Sequence, residues 1–78
     1  MRKLKLIWDF RGPDATKIAL HHEIHLKQYI ELEKLDIPLT GVETISDLYT
    51  IAYLVVDEKD MIPIRDVLKP HRGVVYSE

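Results

Sequence analysis

Between positions 2 and 10 the chain alternates. Leu4, Leu6, Trp8 and Phe10 fall on one side, and Lys3, Lys5 and Asp9 on the other. A period of two is that of a strand with one buried face, and Ile7 is the apolar exception on the charged side. The period then changes. Gly12-Pro13-Asp14 predicts a helix start, because proline lacks a donor that the first turn leaves unused and an acid favours the positive end of the helix dipole. No further glycine or proline intervenes until after Lys34. Ala15, Ile18, Ala19, His22, Leu26, Tyr29 and Ile30 form one stripe for packing against a sheet, while Leu20, Ile24 and Leu35 make a thinner strip roughly opposite. Glu23 with Lys27, and Lys27 with Glu31, are spaced to pair along the helix. Asp36-Ile37-Pro38 predicts its end, since the residue before a proline disfavours helical geometry.

Gly41 to Ser46 reads as a short strand, Asp47 as a turn, and Leu48 to Val56 as the strongest strand, rich in β-branched and aromatic residues. Asp57-Glu58-Lys59-Asp60 is a polar break with Asp60 as a cap. Met61, Ile64, Val67 and Leu68 then recur at helical spacing, and Pro63 is tolerated because it falls in the first turn. Lys69-Pro70 ends this helix, and Gly73 to Tyr76 is a last strand.

Residues 1–78 thus read as a single α+β domain of order βαββαβ. That order resembles the ferredoxin-like fold, a four-stranded antiparallel sheet with two helices on one face. Many unrelated functions share this topology, so it implies no particular activity. The turn Asp9-Phe10-Arg11-Gly12-Pro13 resembles the Asp-Arg-Pro-Gly turn of ACT domains, with glycine and proline in the opposite order and a longer first helix. ACT domains bind small effectors at subunit contacts.

Composition narrows the classes. Seventy-eight residues make one small core, and the absence of cysteine removes disulfides, thiolate metal sites and cysteine nucleophiles. Stability then falls to packing, a ligand or self-association. A formal charge of −2 with interspersed signs argues against a nucleic-acid binder. The basic start, Met1-Arg2-Lys3-Leu4-Lys5, runs into alternating residues and not a long apolar stretch, so neither a signal peptide nor a membrane anchor is expected, and the cytoplasm is the default location.

The third strand carries Tyr49, Ile51, Tyr53 and Val55 on one face and Leu48, Thr50, Ala52, Leu54 and Val56 on the other. Neither face is polar, although a two-layer domain covers only one with helices. An uncovered apolar face predicts an interface, so a homodimer is expected through Tyr49, Ile51, Tyr53 and Val55, or by strands joining across a two-fold axis.

Three sets of residues could carry chemistry. His21 and His25 lie one turn apart, a spacing a divalent metal can bridge, but His21-His22-Glu23-Ile24-His25 lacks the arrangement of a zinc protease and supplies no third ligand. His22 lies within the apolar stripe, where a packed histidine is the simpler reading. The assumed topology gathers Asp9, Arg11, Gly12, Asp47, His71 and Arg72 at one rim, where Arg11 and Arg72 with free backbone donors suit a small anion and His71 can exchange a proton. The same residues also suit a solvated loop rim. Trp8 is expected in the core.

No nucleophile–base pair is evident, and no cofactor is called for. The leading expectation is a non-enzymatic homodimeric module binding a small ligand or a partner. The first alternative is a dimeric α+β barrel-type enzyme using His22 or His25 with Tyr29 and Tyr53 on a small organic substrate. The second is a metal-handling protein relying on His21 and His25.

Overall fold

A computed structural model describes residues 2–35 and 39–76. The elements are β1 (Lys3–Arg11), α1 (Ala15–Glu33), β2 (Leu39–Ser46), β3 (Tyr49–Asp57), α2 (Met61–Leu68) and β4 (Arg72–Tyr76), with a single 3-10 turn at Glu58–Asp60 leading into α2. The strands form one antiparallel sheet in the order β2-β3-β1-β4. This is the ferredoxin-like arrangement, with β1 and β3 at the centre.

Register follows from the alternation. β1 and β3 pair over nine residues, so that Leu6 opposes Leu54 and Trp8 opposes Ala52. Residues directly opposite share a face, and this face meets the helices. Leu6, Trp8, Leu54 and Val56 form the core with Leu26 of α1 and Ile64 of α2, joined by Phe10, Tyr29, Ile30, Leu35, Met61 and Leu68 at its margin. Ala15 and Ala19 are buried where α1 packs on the sheet. The Trp8 indole N–H donates to the Leu68 carbonyl at 3.1 Å, which satisfies an otherwise orphaned group at the end of α2. Thr50, fully buried, shares a 2.8 Å hydrogen bond with the Thr16 hydroxyl.

Both ends of α1 differ from expectation. The helix begins at Ala15, and Gly12-Pro13-Asp14 forms a turn ahead of it. There the Gly12 N–H donates to the Leu48 carbonyl at 2.8 Å and the Ala15 N–H to the Gly12 carbonyl at 3.1 Å. Gly12 takes a φ of 113°, which only glycine adopts without strain. At the other end, Lys34 enters the left-handed region at φ 51°, and the Leu35 N–H donates back to the Ile30 carbonyl at 3.2 Å. This is the Schellman closure. It swings Leu35 into the core, away from the outer strip where the helical period had placed it. The Asp36-Ile37-Pro38 stop lies outside the described residues. Ile18 also differs: at the margin of the stripe, it is 48 % exposed. Asp60 makes no side-chain cap to α2.

The outer face of the sheet is not open apolar surface. Ile7, Ile51 and Val55 lie there, yet they are only 4, 4 and 2 % exposed within the single chain. The Tyr53 ring crosses to β2 and occupies the space over Gly41, where a methyl group would collide with it. Lys5 Nζ lies 4.3 Å from the centre of that ring. The Arg11 guanidinium stacks 3.9 Å from the centre of Tyr49. No helix of the described residues is long and apolar enough to cross a membrane.

Candidate functional site

The rim reading is met in part. β1 ends beside the starts of β3 and β4, which brings Asp9 to Tyr49, His71 and Arg72. Arg72 grips Asp9 through two bonds, Nε to Oδ2 and Nη2 to Oδ1, each 3.2 Å. The Tyr49 hydroxyl donates to the same Oδ1 and accepts from Arg72 Nη2 at 3.3 Å. The hydrogen bonds from Arg72 and Tyr49 hold the Asp9 carboxyl below its ordinary value of 3.8. Asp9 in turn raises the Arg72 guanidinium. Asp9 is therefore a carboxylate with its acceptors engaged, and a poor general base.

His71 joins through its Nδ1, which accepts the Asp9 backbone N–H at 2.8 Å. A neutral ring then carries its proton on Nε2. Among the described residues Arg11 has no acceptor on its hydrogen-bonding fork, and it stacks on Tyr49. Gly12 spends its N–H on Leu48, so it offers no anion donor there. Asp47 is exposed at the turn between β2 and β3. Among the described residues the rim thus holds an internally neutralised pair, Asp9 with Arg72, and an uncommitted cation, Arg11.

His22 lies on the opposite side of the sheet, under α1. Its ring is 4.8 Å from that of Trp8 and 5.5 Å from that of Phe10. Its Nε2 is buried without a hydrogen-bond partner among the described residues. Burial, with smaller contributions from His25 and His71, lowers its pKa below 6.5. Tyr29 packs at the core margin, and burial with Glu33 nearby raises its pKa above 10.0. Tyr53 faces the other way, so the sheet separates it from His22 and Tyr29. His21 and His25 are exposed on α1 with their Nε2 atoms 3.1 Å apart.

Sequence reasoning missed two features. One is Tyr49 as the bridge between Asp9 and Arg72, for which the only signal is its register opposite Arg11. The other is a cleft of about 410 Å³ between α2 and β4, whose lining includes Leu4, Leu6, Met61, His71, Arg72 and Val75. Eight helical residues span roughly 12 Å. A helix this short leaves Val75 of β4, on the helix side of the sheet, 55 % exposed. His22 lines neither this cleft nor the shallow surfaces along α1.

Comparison with models of known protein families, with curated proteins and with solved structures finds no match to this chain.

Proposed function

We propose that this chain is a non-enzymatic binding module that acts as a homodimer, with β4 pairing to β4 of a second copy across a two-fold axis. The observation that carries the reading is the state of the β4 edge. From Gly73 to Tyr76 this strand has no charge, proline or bulge, and Val74 and Val75 are 42 and 55 % exposed. Such an edge is a template for pairing. The other edge is better guarded: β2 carries Glu43 and a register shift between Thr44 and Ser46.

Edge pairing would extend the sheet to eight strands and cover Val74 on one face and Val75 on the other. It would also set the two α2–β4 clefts side by side. It asks nothing of Ile51 and Val55, which the chain already buries. An interface built on five residues per chain is small, so a dissociation constant on the order of micromolar is expected. Asp9 is engaged by Arg72 and His22 is packed away from the cleft, which supports a binding role over catalysis.

Light scattering across a concentration series tests the proposal, with Val75→Lys as the variant. Val75 is exposed, so the substitution leaves the monomer folded while placing a charge at the junction. Dimer for the parent chain and monomer for the variant are expected. A parent chain that stays monomeric at high micromolar concentration defeats the proposal.

A second reading concerns the rim. The free fork of Arg11 beside Tyr49 suits a small carboxylate or phosphate. Titration with inorganic phosphate, followed by shifts of the Arg11 side-chain resonances, tests it. Shifts no larger than those in an Arg11→Gln chain at neighbouring amides would remove it.

A further inference from the structure

We infer that His21 and His25 form a two-ligand site for a borderline divalent transition metal such as zinc, nickel or copper. The inference is independent of how β4 is used, since the pair lies on the exposed side of α1. One helical turn separates the residues, and their Nε2 atoms converge to 3.1 Å with the rings edge to face at 82°. Two imidazole nitrogens this far apart, each about 2.05 Å from a shared ion, subtend roughly 98° at it. That angle lies between the right angle of square or octahedral coordination and the tetrahedral angle. Small ring rotations therefore suffice to receive an ion, with the helix backbone unchanged.

In the metal-free pair one Nε2–H donates to the other Nε2. A bound ion takes the place of that shared proton, and each ring then carries its proton on Nδ1. Two imidazoles and no carboxylate favour borderline ions over magnesium or calcium. Among the described residues no third histidine, cysteine, aspartate or glutamate joins the pair. The chain thus supplies two ligands, and water or an exogenous ligand fills the remaining positions. Such a site exchanges its metal readily and does not hold the fold together.

The test is calorimetric titration of the untagged full chain with zinc chloride and nickel chloride at about pH 7.5 in a non-coordinating buffer. His21→Ala, His25→Ala and His71→Gln are compared with the parent. Both proposed ligands are exposed, so the variants keep the fold, which circular dichroism verifies. One ion per chain is expected for the parent and for His71→Gln, with binding at least tenfold weaker in His21→Ala and in His25→Ala. A loss smaller than tenfold in either single variant overturns the inference, as does the absence of binding by the parent chain at millimolar metal.

Discussion

Replacing His22 by leucine isolates the cost of one buried nitrogen. The His22 Nε2 has no hydrogen-bond partner among the described residues, and the ring packs against Trp8 and Phe10. A buried polar group left unsatisfied costs about 1–3 kcal/mol. Leucine removes that group and gives up aromatic contacts worth about 0.5–1.5 kcal/mol. The balance is a stabilisation of about 1 kcal/mol. In a domain of this size that raises the melting temperature by about 4–8 °C. Urea denaturation should show the same gain as a higher midpoint at unchanged slope, because the surface exposed on unfolding hardly changes. The comparison belongs at neutral pH in chelator-containing buffer, so that neither protonation nor metal at the neighbouring histidines enters. A leucine variant less stable than the parent by 1 kcal/mol or more would refute the reasoning, for it would mean that Nε2 is paired in solution.

Other expectations follow from the outer face and the rim. Gly41→Ala should stabilise the chain by about 0.5–1 kcal/mol when Tyr53 is already alanine, by reducing the freedom of the unfolded backbone. In the parent the same change should bring no gain, because the Tyr53 ring fills the space a methyl would take. A double-mutant cycle in urea reads the difference, and a coupling under about 0.3 kcal/mol would show that the ring does not rest there. Asp9→Asn should flatten the acid limb of the stability curve. The folded carboxyl titrates below 3.8, so its contribution is present in full above that pH and is lost as pH falls through the lower folded value. Parent and variant should therefore differ at neutral pH and converge as pH falls below the lowered folded value, as thermal melts in stepped buffers would show. Curves that stay parallel would mean that Asp9 is not bonded to Arg72 and Tyr49.

The fold was legible because its central strands obey one period. Leu4, Leu6, Trp8 and Phe10 alternate cleanly, and the long glycine-free run after Pro13 leaves helix as the only economical reading. The gathering of Asp9, Arg11, His71 and Arg72 at one rim followed from that order alone. What sequence could not give are events decided by register and by single dihedrals. Asp9 meets Arg72 across 63 positions, and a slip of one residue would send either to the other face. The left-handed turn at Lys34 carries no glycine to announce it, so the helical period alone puts Leu35 on the outer strip and not in the core. The burial of Ile51 and Val55 within the single chain depends on how the outer-face side chains lie, which composition does not report. The expectation of an open apolar face rested on that missing fact, and self-association now rests on the β4 edge instead.

The most direct measurement of that claim is amide hydrogen exchange resolved by residue, recorded at low and high micromolar chain concentration. Pairing through β4 predicts that amides within Gly73–Tyr76 become slower to exchange as concentration rises, while those of β2 from Leu39 to Thr44 do not change. Equal protection of β4 at both concentrations, or a concentration-dependent gain on β2 alone, would contradict it.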